Sequence, residues 1–377
     1  MGFSSKDDLT DEISANGKFY RADWNKLTHA VGAQAAGAWY ALPHAAGNPG
    51  AMTLGAVGTN LAWHAAHDRL AGSIFHGGDV APDTKHILNM SAFSAAPTTM
   101  PAIFMLVDML GWYPITTTTT TGNQALVNSR TFTADPGTDL VTVAAGWDIQ
   151  TGTALRLTTS GTLPAGLALN TTFYWSRTSA TTGELCATLA DAIAGTAVDI
   201  TDAGSGTHTL SMYIDRAPSN GVGVQAFLTP SVALGAGTPN IQLTYTNQLG
   251  VGSRVTPATL PISNATAPIG QIEYSGTGAG KYGPFIPRAA GDGGIRSVEQ
   301  FNYNVTHTSG TTNLVLCRPL YSLPMTTLGV AAERDLLNQV PSLPRIYDGA
   351  CLTWLMYAGA ATPVSSGFFG HLDFGWG

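Results

Sequence analysis

The chain reads as all-β, and three features of the sequence say so. Forty-four glycines and twenty-one prolines are spread along its 377 residues, the turn density that many short strands require. Between them stand short runs of Val, Ile, Leu, Tyr and Thr, residues that suit a pleated, half-buried surface. Helical periodicity is scarce. The expected architecture is a β-sandwich or jelly-roll-like host domain with a small β-sandwich domain inserted in it and a few short helices.

In order along the chain, short helices are predicted over 6–15 and 22–29. A third is predicted over 330–339, stopped by Val340-Pro341 because the residue before a proline is driven out of the helical region. Strands are predicted at 222–229, 241–246, 271–275, 295–304, 313–318, 351–358 and 370–376. After Trp112-Tyr113-Pro114 comes a run of threonines, 116–121, which offers a core no side-chain diversity and reads as an exposed connector. The texture then changes, with strand signals at 140–143, 155–159, 173–178, 184–188 and 198–200, until a polar turn segment at 215–220 restores it. The predicted division is a discontinuous host, 1–129 plus 214–377, carrying an inserted module at 130–213. Insertion at an exposed loop costs a host little, because closure entropy grows slowly with loop length.

Charge sets the context. Only 11% of residues are charged, 17 Lys+Arg against 24 Asp+Glu, where a soluble domain carries roughly 25%. Much of the surface must then be Thr, Ser, Gly, Asn and small apolar side chains, poorly defended against association. The longest mainly apolar run, 100–110, is too short for the roughly 20 residues a spanning helix needs and contains Pro101 and Asp108. A membrane is therefore not expected to hide this surface, which leaves other protein, and the chain is predicted to live in a large assembly. A net charge of −7 and no Lys/Arg cluster argue against direct nucleic-acid binding. Cys186, Cys317 and Cys351 cannot all pair and are expected as buried free thiols in a reducing compartment. Acids at Asp7 and Asp8 stand where a signal peptide has its apolar run, so synthesis in a cytoplasm without export is expected.

One stretch carries a likeness. The residues Leu157-Thr-Thr-Ser-Gly-Thr-Leu-Pro-Ala-Gly-Leu167, then Thr172-Phe-Tyr-Trp175, then Asp199-Ile-Thr-Asp-Ala-Gly-Ser-Gly-Thr-His-Thr-Leu210, resemble a small, Ig-like β-sandwich module recurrent in structural proteins of tailed bacteriophages. The resemblance implies a virion and no particular position within it. The host segments Ser275–Pro284, Gly291–Ile295 and Gly370–Trp376 look like phage structural proteins in a more general way. The long charged spine helix and charged extended loop associated with the usual tailed-phage major capsid fold are missing.

Candidate chemistry is sparse. Ser275–Gly283 imitates a phosphate loop, whose glycines let backbone N–H groups converge on an anion. Yet Ser275 stands where the first glycine is needed and Tyr282 where a Mg²⁺-binding hydroxyl is needed. His64, His67, His76 and His86 crowd together near Asp68, Asp79 and Asp83; a zinc site is conceivable at that spacing, but the Gly-rich segment predicts polar loop histidines. His76-Gly-Gly-Asp79 imitates an esterase oxyanion loop without the Gly-x-Ser-x-Gly elbow that goes with it. Acids this thinly spread are expected to cap turns and helices rather than form a glycosidase pair. The sequons at Asn170, Asn264 and Asn304 carry no meaning without a secretory route.

The terminus is different, because Phe368, Phe369, Phe374 and Trp376 place four large rings where chains are normally polar and frayed. Either they form a last core strand or they dock on a neighbour. With Lys281 and Tyr282 of the Gly-rich loop, they are the predicted assembly contacts.

The sequence thus predicts a non-enzymatic virion protein with no catalytic residue, cofactor or metal. Its expected role is capsid decoration or cement, with copies of itself and a major capsid protein as partners and the inserted module as a weak host-surface or glycan contact. Within the same class stand a major capsid, collar or tail protein, and from another class a carbohydrate-binding or polysaccharide-hydrolysing module.

Overall fold

The computed structural model describes residues 3, 5–28, 35–54, 59–94, 102–216, 221–257, 260–261, 266–273, 283–327, 329–339, 342–363 and 366–377. Among them, strands dominate, as the turn density predicts, and helix is confined to Lys6–Ser14, Leu189–Ala194 and Leu336–Gln339 apart from one 3₁₀ turn. The first helix begins where Ser5 accepts the Asp8 N–H at 3.0 Å, with Asp7 and Asp8 in the first turn favouring the positive end of the helix dipole.

Three open sheets and one closed barrel make up the fold. The first sheet runs in the order Ala332–Asp335, Lys85–Ser94, Gly367–Trp376, Phe19–Leu27, Gly47–Asn48. The first and last long strands of the chain are therefore neighbours, antiparallel, with Phe19 opposite Gly375 and Leu27 opposite Gly367. Phe19–Leu27 is where the 22–29 helix was expected. Ala22, Trp24 and Lys26 point inward and their neighbours outward, an alternation of period two that a helix cannot bury. At the other helical expectation, 330–339, a short strand, Ala332–Asp335, precedes only a single turn.

The central sheet runs Gln225–Val232, Thr311–Met325, Ala102–Thr116, Leu352–Ala358, Ala38–Ala41. Its two longest strands have 15 residues each and are buried on both faces along much of their length. One end packs on the first sheet through Trp24, Phe104, Trp354, Met356, Phe368 and Phe374. The other end packs on the third sheet and the barrel through Val107, Trp112, Leu316, Phe301 and Trp175. Both open edges are covered by residues 270–273: Ile272 N–H donates to Trp39 O at 2.9 Å and Glu273 N–H to Leu228 O at 3.2 Å. The predicted strand at 271–275 is thus a short bridge, and its last two residues lie outside the described ones.

The third sheet runs Arg254–Val255, Asn240–Asn247, Ile295–Tyr303, Gly122–Ala125. The threonine run makes the turn between the central and third sheets. Thr117 and Thr120 are buried and Thr117 donates to Gly310 O at 2.8 Å, so it is a packed corner rather than a loose connector.

The barrel closes in the order Ala154–Thr159, Phe173–Arg177, Thr182–Cys186, Leu140–Val143, Ser129–Ala134, His208–Met212. Its strands hydrogen-bond edge to edge, so the faces expected of a small sandwich join into one wall; residues 198–200 stay outside it as a loop. Phe132, Trp175, Leu185 and Leu210 fill the interior. Entry and exit are adjacent, since Met212 N–H donates to Asn128 O at 2.8 Å. Trp147 reaches out of the module and donates its indole N–H to Trp63 O at 2.9 Å.

Gly370 has a steric reason. A Cβ there would meet Ser91 O at 2.0 Å, whereas at Gly367 the nearest atom, in Leu27, is 3.7 Å away. Gly370→Ala is expected to lower the thermal midpoint by several degrees while Gly367→Ala leaves it within a degree or two, as overpacking a fixed backbone costs about 1–3 kcal/mol. Equal melting curves for the two variants would remove this account of the strand.

Candidate functional site

Of the predicted contact residues, Phe368 and Phe374 are buried in the molecule's own core. Phe368 packs edge-on against Phe104, with centroids 5.0 Å apart. Neither ring can meet a partner, so the last-strand reading of the terminus holds for both, and they are withdrawn as contacts. Phe369, 39% exposed, pairs with Phe93 at 5.0 Å on the outward face of the first sheet. Trp376 is half-buried beneath the Lys85 ammonium, 5.4 Å from its ring centroid. Lys281 and Tyr282 lie outside the described residues, as does 275–282 of the imitation phosphate loop.

The histidines are not polar loop residues. His64, His67, His76 and Asp68 are all buried: His64 lies on the central sheet and His67 beside Gly152 of the barrel, while His76 packs on Phe374 of the first sheet. His64 stacks on Trp112 at 5.7 Å. Lys85, also buried, donates to His76 Nδ1 at 2.9 Å, to His76 O at 2.9 Å and to Gly78 O. An ammonium donating to Nδ1 leaves the His76 proton on Nε2, 3.9 Å from Asp68 Oδ2. Burial holds His64 and His67 down to about 4, His76 to about 3 and Lys85 to about 8. All three imidazoles are therefore neutral at neutral pH. His86 is turned away, with Nδ1 3.3 Å from Leu343 O, so the four histidines do not converge. Among the described residues, no group of three or more His, Cys, Asp and Glu is placed to hold a metal.

The imitation oxyanion loop is a structural clasp. Gly78 O faces Lys85, Asp79 accepts the Gly349 N–H at 3.0 Å, and Asp348 accepts those of Val80 and Ala81 at 2.9 and 3.2 Å. The three cysteines are unpaired and buried; burial lifts the Cys351 thiol to about 12, which makes it inert.

Two buried acids escaped the sequence reading. Asp108 sits without solvent in the strand Ala102–Thr116, accepting the Cys351 N–H at 3.0 Å. Arg216 Nε lies 3.5 Å from it on one side and Arg318 Nη2 3.9 Å on the other. Burial raises the carboxyl and the two guanidinium charges oppose that rise. Arg216 also donates to Ala66 O at 2.6 Å and Met109 O at 3.0 Å, and its neighbour Asp215 accepts the Tyr174 hydroxyl of the barrel at 2.9 Å. The signal was a lone carboxylate inside an apolar run, which must find a cation once that run is buried. Glu273 is equally buried, accepting from Thr312 Oγ1 and from the Tyr303 hydroxyl at 3.4 Å, and burial pushes it up to about 7.

Two clefts and one loop stand out on the described surface. A cleft of about 350 Å³ between barrel and host includes Arg156, Asn170, Tyr213 and Arg296 in its lining. A second, of about 380 Å³, is lined in part by Asp79, Tyr174, Leu189, Asp215 and Asp348, whose carboxylates already hold the loops just described. The third is the loop after Asn240–Asn247, where Leu249 is 77% and Val251 50% exposed. This loop is rigidly built. Asn247 Oδ1 accepts the N–H groups of Leu249 and Val251 at 3.0 Å each, and Gln248 Oε1 accepts those of Gly293 and Gly294 at 3.0 and 3.1 Å. Asp292 beneath it accepts from the Tyr245 hydroxyl at 2.6 Å, Asn247 Nδ2 at 2.8 Å and Arg254 Nε at 2.9 Å. The Arg254 bond first, and the others after it, hold Asp292 down at about 2.

No family model matches the sequence, and no curated protein matches it. Among solved structures, T=1 particles derived from infectious bursal virus are similar over 79% of this chain and 80% of that chain, at 10% identity and a TM-score of 0.15. A likeness at that score supports no inference about this chain.

Truncating Arg216→Ala strands Asp108 in the core and is expected to cost about 3–5 kcal/mol in urea unfolding. Adding Asp108→Asn to that variant should restore part of the loss; two fully additive penalties would show that the pair is not coupled. Glu273 binds its proton more tightly folded, near 7, than its ordinary 4.5. Its favourable contribution is therefore complete below about pH 4.5 and lost as pH rises through 7. Glu273→Gln lacks this dependence, so its stability relative to the native chain should rise by roughly 2–3 kcal/mol between pH 5 and 8. A pH-independent difference would contradict the assignment.

Proposed function

We propose that this chain is a non-enzymatic structural protein of a tailed-phage virion that decorates or cements the capsid. On this reading its partners are copies of itself and the major capsid protein, and the module at 130–213 is an insertion in a host formed by 1–129 and 214–377. The observation that carries the reading is the loop at Leu249 and Val251. Apolar side chains held out in water on a loop fixed by Asn247, Gln248 and Asp292 gain nothing for the isolated fold, and rigid presentation lowers the entropy lost when a partner covers them.

The remaining surface agrees in kind. Some of the chain's few charges are drawn inward, in the Asp108–Arg216–Arg318 group and the Lys85–His76–Asp68 chain. With only 11% of residues charged, little keeps copies apart. Buried neutral histidines and capped carboxylates also leave the acid and base groups working for the fold. Adjacent entry and exit at Asn128 and Met212 suit an insertion, which in this reading projects from the shell.

Attachment of the purified chain to shells lacking it should persist in high salt and weaken in urea, because salt screens charge pairs and leaves apolar burial intact. Leu249→Asp should lower occupancy at least tenfold, since covering one leucine is worth about 1.5–3 kcal/mol, and leave the melting temperature unchanged. Full occupancy by this variant would mean that the loop is not the contact.

A further inference from the structure

The chain answers many of its arginines with carboxylates: Arg21 with Asp373, Arg177 with Asp148, Arg254 with Asp292, and Arg216 and Arg318 with Asp108. Arg156 and Arg296 are among the arginines that have no carboxylate partner within the described residues, and these two line the same cleft of about 350 Å³. Arg156 is positioned rather than neutralised. Its Nε donates to Thr172 Oγ1 at 3.0 Å, another nitrogen donates to Asn170 O, and its guanidinium lies 4.3 Å from the centroid of the Tyr213 ring. Arg296 is exposed and makes no hydrogen bond or ion pair within the described residues. Among the described residues, no acid lines the cleft. In a chain of net charge −7, two arginines lining one concave space form a local positive site that favours an anion.

The rest of the lining narrows the ligand. Thr158, Ser211, Ser297 and Asn170 offer hydroxyl and amide groups, with Met212 and Ile214 as apolar surface between them, a mixture that matches a body with both C–H faces and hydroxyls. The volume lies within the ~300–1,000 Å³ of small-ligand sites. An extended acidic peptide is disfavoured at His208–Met212, which is paired on both sides within the closed barrel and offers no edge to an added strand.

We propose that the cleft between barrel and host binds a carboxylated saccharide, with the Arg296 fork taking the carboxylate and Arg156, held on Tyr213, fixing the sugar beside it. The site is independent of the assembly reading, since the isolated chain suffices for binding. Titration of the full chain, followed calorimetrically, with D-glucuronate, trigalacturonate, D-glucose and triglutamate tests it.

Saturable binding of glucuronate at least tenfold tighter than glucose, weakening as salt is added, is expected. Tighter binding of trigalacturonate than glucuronate would identify a polymer as the source, and equal binding a single terminal acid; either outcome supports the site. Arg296→Ala, which breaks no internal contact, should reduce affinity at least tenfold at an unchanged melting temperature. Arg296→Lys should recover part of it, and Arg177→Ala, at another position on the barrel, should bind as the native chain does. Glucose binding as well as glucuronate, undiminished affinity in Arg296→Ala, triglutamate matching the sugars, or no binding of either acidic sugar would each overturn the proposal.

Discussion

The carboxylate of Asp108, held without solvent in the middle of the central sheet, is the constraint from which much of the assembly of this fold follows. Its strand is buried on both faces because two cores share it, so the charge has no route to water. A buried charge is tolerated only when paired and hydrogen-bonded. Here the partners come from three places: Cys351 N–H from the adjacent strand, Arg318 from the strand on the other side, and Arg216 from the segment leaving the barrel. Arg216 in turn holds Ala66 O and Met109 O, which fixes the histidine-bearing segment against the sheet. One unavoidable pairing thus ties the barrel's exit, the central sheet and the 64–76 segment together. A hydrophobic replacement of similar volume can match a buried ion pair in stability; what the ionic group adds is a single relative placement of those parts, because every donor in it has direction.

The same economy governs the surface. With so few charges available, those drawn inward to satisfy buried groups are not available to repel neighbours. The exterior is left to hydroxyls, amides, glycine and scattered apolar side chains. On the assembly reading proposed above, specificity then comes from shape. The Asp292 group supplies shape at one point, since three donors converge on it and a single loop geometry results. The cleft at Arg156 supplies it at another, because a guanidinium stacked on an aromatic ring and tied to two oxygens has little freedom left.

Legibility in the sequence followed local pattern closely. The strand at 241–246 alternates apolar and polar residues, those at 140–143 and 295–304 are β-prone runs between clear turn signals, and the structure places strands at all three. Ala102–Thr116 was invisible as a strand for the opposite reason: covered on both faces, it shows an apolar run with no alternation to count. The 22–29 segment failed because its charged Asp23 and Lys26 imitate an amphipathic helix over a short window, while Lys26 is in fact an inward residue capped by Ala45 O and Gly50 O at 3.2 and 3.0 Å. The histidines misled through composition. Glycine-rich surroundings suggest exposure, whereas Gly77 and Gly78, both with positive φ, let the backbone fold back so that carbonyls reach Lys85.

What no local pattern carries is closure. The barrel exists because His208–Met212 pairs with both Ser129–Ala134 and Ala154–Thr159, a condition on residues some eighty positions apart that leaves each strand looking ordinary. Closure has a chemical consequence. A closed barrel has no edge through which to merge with the open sheets, so it meets them by side-chain packing and by Trp147 on Trp63 O, and clefts are left beside those contacts where the curved barrel wall turns away from the sheets. Recognition surfaces are therefore expected at this junction rather than on the flat faces of the sandwich, and their residues, Arg156 and Tyr213 from the module and Arg296 from the host, become neighbours only when the fold is complete.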